Sequence, residues 1–292
     1  MTEKVLYDCD NTLGLPLKEV DDGLTILYLL GMPEVELLGI TTTFGNGTID
    51  QVYDQTKKWV KRSGLSLPVL RGEGAPHDPP DTPAAQFLKE QVNRYPHEIT
   101  ILATGPLGNL HAAAKLDPDF YKKVKRIFIM GGYLRSVKLG YRDLKELNLS
   151  ANPPASFDVL TSTCPITIFP AQVCLDAPYR LADIWGSSIW PVRYKLILTQ
   201  WLFAFGFFIG EMVFYLWDLL PAVYLTAPEC FTVEPAGFRS TLRDLQSGNL
   251  ILDPQIKGTS LSYATKITDK RQFYHQLEQG WLRALQNTRS GK

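Results

Sequence analysis

The chain has 292 residues, 45% hydrophobic and 21% charged, ordinary values for a protein with a sizeable buried core. Its formal net charge is zero and no basic block stands out, which argues against a polyanion-binding surface and any nucleic-acid partner, and points to a small substrate. Cys9, Cys164, Cys174 and Cys230 lack Cys-x-x-Cys spacing, and the first residues show no charged-then-apolar leader, so a reduced, cytoplasmic compartment is expected.

The first predicted strand, Lys4–Asp8, runs into Asp8-Cys9-Asp10-Asn11-Thr12, and Asp21-Asp22 head a helix predicted over Asp22–Leu30. Carboxylates gathered around one strand end raise each other's pKa unless a cation neutralises them. A hard divalent ion with oxygen ligands does this economically, so the segment reads as a metal site or an acid-base centre. Strand Val35–Thr42 ends in the polar loop Thr41–Asn46, and helix Asp50–Ser63 follows. Gly72–Pro83 is rich in proline and glycine and reads as a long surface loop. It contains His77, which alone of the four histidines lies in a lid-like segment and is therefore a candidate proton donor.

Helix Ala84–Asn93 leads to strand Ile99–Thr104 and the loop Ala103-Thr104-Gly105-Pro106; helix Leu107–Lys115 then precedes strand Arg126–Met130, which runs into Gly131-Gly132. Helix Pro154–Thr163 and strand Ile166–Phe169 continue the alternation. Leu196–Leu216 is apolar over almost the length of a bilayer span, but Gln200 and Glu211 interrupt it and Asp218 follows closely. A buried helical pair or an aromatic cover over a pocket is the expected outcome, with no membrane partner. Glu211 then either caps a helix or contacts a ligand. The last expected elements are β-like pieces at Cys230–Val233 and Leu250–Leu252, and helix Lys270–Leu285.

Strands alternating with helices predict an α/β fold, an open, doubly wound, mostly parallel sheet in one domain spanning residues 1–292. In such sheets the loops after the strands' carboxyl ends form the ligand site, and the polar loops here obey that rule.

Asp8-Cys9-Asp10-Asn11-Thr12-Leu13 resembles the first motif of the haloacid-dehalogenase-type magnesium phosphatases, in which the first Asp is a nucleophile. That resemblance covers a dozen residues, and the family's late Gly-Asp-x-x-x-Asp-like pattern is missing. A second resemblance covers most of the chain. Asp8-x-Asp10 with Asp21-Asp22, Glu36–Thr42 with Gly45-Asn46, Ala103–Leu110, Ile129–Gly132, Glu146-Leu147-Asn148 with Asn152-Pro153, and Trp217-Asp218 are similar, in order, to the motifs of the nucleoside hydrolases.

This resemblance implies calcium-dependent cleavage of the N-glycosidic bond of ribonucleosides, with a Rossmann-like sheet and a homodimer or homotetramer. By resemblance, Asp10, Asp22 and Asp218, with the backbone carbonyl of Thr104, would hold Ca2+, and Asp10 would accept the proton of the attacking water. Asp21, Asn46, Glu146 and Asn148 would bind ribose hydroxyls, Met130 would pack beneath the site, and Asp8 would support its neighbours.

Two departures stand out. The gap between Asp10 and Asp22 is longer than in that family, so residues around Leu13–Glu19 must loop out if both acids are to reach one ion. Trp217 stands where the family usually has histidine; it offers stacking rather than a proton, as in the purine-specific members, and implies purine nucleosides. It could equally belong to an aromatic core with Trp201, Phe205, Phe207 and Phe208. A relative that binds nucleoside without turning it over is the remaining alternative.

Overall fold

The computed structural model describes residues 2–256 and 260–290. Eight strands form the main sheet: β1 (Glu3–Cys9), β2 (Val35–Thr42), β3 (Val69–Arg71), β4 (Ile99–Ala103), β5 (Arg126–Met130), β6 (Ile166–Phe169), β7 (Phe231–Pro235) and β8 (Leu261–Ile267). Their order is β7-β8-β6-β5-β4-β1-β2-β3. Only the β7–β8 pair is antiparallel; every other neighbouring pair is parallel.

The central strands read as apolar runs because both faces of the sheet are covered. Pleating sends successive side chains of β1 to opposite sides: Val5, Tyr7 and Cys9 join one core, Leu6 the other. The first core is closed by α1 (Asp21–Gly31) and the C-terminal helix Lys270–Ser290, where the Trp281 indole donates to the Leu24 carbonyl. The second is closed by Pro83–Arg94 and Gly108–Leu116. The chain builds outward from β1 through β2 to β3, then returns to place β4 on the other side of β1. That reversal opens a crevice at the carboxyl ends of β1 and β4, the usual ligand position in such sheets.

The structure matches the predicted bounds of β2, β5 and β6, shifts most others by a residue or two, and carries the helix expected over Lys270–Leu285 on to Ser290. It adds β3 and β8, ends the helix predicted over Pro154–Thr163 at Leu160, and moves the Leu250–Leu252 piece to a two-residue strand, Leu252–Asp253.

Leu196–Leu216 is not a buried helical pair. One helix, Val192–Ile209, stops at Gly210, whose left-handed φ of 84° suits a residue without a Cβ. Its inner face buries Tyr194, Leu198 and Leu202, whereas Phe203, Phe207 and Phe208 face solvent. Among the described residues it is the one helix long and apolar enough to cross a membrane.

Candidate active site

The crevice is floored by acids. Asp10 follows β1; its Oδ2 accepts from the Asn46 backbone N–H at 2.5 Å, and its Oδ1 lies 3.4 Å from the Asn46 amide. Gly45 makes this possible, because a Cβ there would overlap the Asp10 carboxylate. Asp22, in the first turn of α1, accepts at Oδ1 from the Tyr7 and Thr104 hydroxyls, each at 2.8 Å. Asp21 beside it accepts at Oδ2 from the Asp218 backbone N–H at 3.2 Å. The Asp22 carboxylate also meets those of Asp10 and Asp218.

The long connection does loop out. Leu13 is buried against Gly23, its N–H donates to Asn11 Oδ1 at 2.9 Å, and Gln55 Nε2 donates to its carbonyl at 2.6 Å. Thr12 Oγ1 donates to the Glu19 carbonyl and Lys18 Nζ to the Asn46 carbonyl, both at 2.8 Å. These bonds fold the segment back, so Asp10 and Asp22 meet despite the added residues.

Burial raises every one of these acids, and their neighbours add repulsion. Asp21 is pushed up to about 7 by desolvation and then by Asp22; Asp10 goes well above the usual carboxylate range for the same two reasons, and Asp218 through desolvation and then Asp21 and Asp22. Asp22 rises too, held back by hydrogen bonds from Thr104 and Tyr7. Among the described residues no cluster of three or more His, Cys, Asp or Glu forms a ready metal cage. The donor chemistry nevertheless fits a hard cation: Asp22 Oδ2 and Asp21 Oδ1 are buried without a hydrogen-bond partner, and all the nearby donors are oxygens.

Above this floor lies a cavity of about 190 Å³. Asn46, Thr104, Asn148 and Asp218 line it together with Met130, Trp201, Phe205 and Trp217. Asn148 Nδ2 donates to the Thr104 carbonyl at 2.7 Å and to the Met130 carbonyl at 3.0 Å, joining the loops after β4 and β5. Glu146 reaches the cavity, but its carboxylate is held by the backbone N–H groups of Gly132, Leu149 and Ser150.

The profile of the inosine-uridine preferring nucleoside hydrolase family matches residues 5–275. The chain belongs to that family. It is therefore an enzyme, a nucleoside hydrolase acting on ribonucleosides, of a family known as metal-dependent. It is 29% identical to uridine nucleosidase 1 of Arabidopsis thaliana over 87% of this chain and 83% of that protein. It is 27% identical to the inosine-uridine preferring nucleoside hydrolase of Crithidia fasciculata over 69% of this chain and 71% of that one. The fold superposes on a plant nucleoside hydrolase with a TM-score of 0.82 at 22% identity, covering 97% and 99% of the two chains. A purine-preferring ribonucleoside hydrolase from Gardnerella vaginalis gives 0.81 at 20% identity, covering 99% and 100%.

In this nucleoside hydrolase the phosphatase-like opening has no supporting geometry. Asp8 does not line the cavity; its Oδ1 is taken by Thr41 Oγ1 at 2.5 Å and Asn109 Nδ2 at 2.8 Å. Two candidates lie elsewhere. His77 is exposed, with a left-handed φ of 74°, in a separate small cleft beside Glu73, because the loop after β3 runs away from the crevice. Glu211 is exposed in the turn after the Val192–Ile209 helix, where its backbone N–H donates to the Gly206 carbonyl and its side chain does not reach the cavity. The imagined aromatic core also divides: Trp201 and Phe205 line the cavity with Trp217, whereas Phe207 and Phe208 face solvent.

Sequence reasoning missed the Tyr7 hydroxyl and the side chains of Glu19 and Lys145, which also line or support the site. A tyrosine in a fully buried strand needs a partner for its hydroxyl, which is the signal Tyr7 offered. Glu19, two residues before the acidic pair, offered only proximity.

Proposed function

We propose that this nucleoside hydrolase uses calcium, prefers purine nucleosides and divides its work as follows. Asp10, Asp22 and Asp218, with the Thr104 carbonyl, hold the cation, which when bound contributes positive charge that acidifies water and grips vicinal hydroxyls. The observation that carries this reading is the contact of Asp22 with Asp10 and Asp218 beside a cavity lined by Asp218, Thr104 and the rings of Trp201, Phe205 and Trp217.

Water adds through oxygen to C1′ of the ribose, the C1′–N bond breaks, and its electron pair goes to the base. Asp10 takes the water's proton; its Oδ1 is the freer oxygen, since Oδ2 holds the short bond to Asn46. Asp21 Oδ1, buried without a partner, accepts from a ribose hydroxyl, with Asn46, Asn148 and Glu146 along the sugar and Met130 beneath it. Trp217 stacks on the base, about 1 kcal/mol beyond its buried area. No histidine lines the cavity among the described residues, so the leaving base takes its proton from solvent, which suits the basic ring nitrogens of a purine.

An all-oxygen donor set favours calcium over softer ions. One named relative is a uridine nucleosidase and another an inosine-uridine preferring hydrolase, so base preference needs its own arm. Ribose release is measured from inosine, adenosine, guanosine, uridine and cytidine, in chelator and after restoring calcium or magnesium. Purine release that chelator abolishes and calcium restores is expected. Faster release from pyrimidines overturns the base preference, restoration by magnesium alone overturns calcium, and no release overturns the reaction. Four buried free cysteines support a reducing, cytoplasmic compartment, and we extend the family resemblance to a homodimer or homotetramer, read by sedimentation.

A further inference from the structure

The extra residues between Asp10 and Asp21 bring one side chain into the cavity that the proposed mechanism does not use. Glu19 lines it with Asn46, Thr104 and Asp218. Its carboxylate stands against the Asn46 side-chain amide and the Asp21 carboxylate. Its backbone is fixed, because Thr12 Oγ1 binds its carbonyl and Lys18 Nζ ties the preceding residue to the Asn46 carbonyl. Leu13 anchors the other end of the segment in the core. A loop held at both ends presents its glutamate at a set position rather than sampling solvent.

Next to it, Asp21 is 1% exposed and its Oδ1 has no hydrogen-bond partner. Glu19 has the Asn46 amide and Asp21 Oδ2 the Asp218 N–H, which leaves Asp21 Oδ1 and the remaining lone pairs of Glu19 to be matched by a ligand carrying two adjacent O–H donors. A vicinal diol is such a group, and each hydroxyl gives one proton to one carboxylate. We propose that Glu19 is a specificity-determining residue that accepts a hydrogen bond from one hydroxyl of the ribose 2′,3′-diol while Asp21 accepts from the other. The inference rests on the nucleoside-hydrolase reading and on Asp21 facing the sugar. It makes the longer loop a second reader of the diol. A sugar lacking the hydroxyl that Glu19 reads forfeits one charge-assisted hydrogen bond in the cavity wall, which is where discrimination against deoxyribonucleosides arises.

The test compares wild type with Glu19→Gln and Glu19→Ala on one base carried by ribose, 2′-deoxyribose and 3′-deoxyribose. Wild type is expected to favour the ribonucleoside. In Glu19→Ala its kcat/KM falls about tenfold to a hundredfold, mainly through KM, while one of the two deoxy substrates changes little. That substrate identifies the hydroxyl, and Glu19→Gln lies between. Equal losses on all three substrates, or unchanged ratios, overturn the proposal; circular dichroism of both variants separates either result from misfolding, and Glu19→Gln serves if Glu19→Ala does not fold. If the wild type releases no ribose at all, the reaction is refuted instead. Calorimetric binding of D-ribose against 2-deoxy- and 3-deoxy-D-ribose then tests Glu19 alone: discrimination lost in the variant supports the role, and discrimination retained or never present refutes it.

Discussion

At the scale of single residues the acids divide into those proposed to meet cation or substrate and Asp8, which braces them. Asp10→Asn removes the proposed proton acceptor and should lower kcat about 10²- to 10⁴-fold. Asp8→Asn should cost less, because Asp8 Oδ1 is taken by the supporting side chains Thr41 and Asn109; steady-state ribose release compares the two, and a larger loss at Asp8 would contradict the assignment. Gly45→Ala is the sharper probe. Its Cβ would overlap the Asp10 carboxylate, so activity should fall towards that of Asp10→Asn although no acid has been removed. Full activity in that variant would place the proton acceptor elsewhere. The acids themselves were legible, since carboxylates packed into one short stretch ask for a cation. Their supports were not. Thr41 meets Asp8 because the β1–β2 register sets those two residues side by side, and register is a property of pairing that neither strand states alone. His77 failed for the complementary reason: a histidine in a loop says nothing about the direction in which the loop leaves the sheet.

At the scale of elements, the decisive piece is the loop that joins β1 to α1. Leu13 is its anchor, buried against Gly23 of α1, and Gln55 secures the Leu13 carbonyl from the following helix. Leu13→Ala should destabilise the protein by about 2–4 kcal/mol through the cavity it leaves, read as a lower urea midpoint. It should also weaken catalysis at temperatures where the protein remains folded, because Asp10 and Glu19 flank the same anchor. A stability loss with unchanged kinetics would show that the loop holds its acids without Leu13. The apolar runs of β5 and β6 could be bounded from sequence because burial on both faces demands a hydrophobic stretch. β8 could not: Leu-Ser-Tyr-Ala-Thr-Lys-Ile is mixed, and it is a strand because β6 and β7 pair with it on either side. The Val192–Ile209 helix was half legible. Its apolar length showed, but only the fold decides that Trp201 and Phe205 turn to the cavity while Phe207 turns to solvent.

At the scale of the whole molecule, a cluster of buried acids couples stability to both pH and cation. Desolvation lifts Asp8 and Asp21 from an ordinary 3.8 to about 7 in the folded protein. A folded-state pKa above the unfolded one means the native protein binds more protons than the unfolded chain between those values, so stability falls as pH rises through that window. The contribution is fully present below the unfolded value and lost once pH passes the folded one. In chelator, the melting temperature should therefore decline from about pH 4 to about pH 7, apart from whatever the remaining groups add. On the proposed calcium site, the ion takes the deprotonated acids and should reverse the decline, so the rise in melting temperature that it causes should grow with pH. At a hundred times the dissociation constant that rise corresponds to about 2.7 kcal/mol. Differential scanning calorimetry at several pH values, with and without calcium, checks both signs. A calcium-induced rise as large at about pH 4 as at about pH 7 would mean that the cation binds without displacing protons, and hence that it does not sit among these carboxylates. Asp22→Asn sharpens the same experiment, because it removes the carboxylate that meets both Asp10 and Asp218. The variant should melt higher than wild type in chelator, where it carries one less buried acid, and gain less from calcium, where it offers one less ligand. Opposite shifts from one substitution are hard to obtain from a general packing defect, which would lower both melting temperatures together.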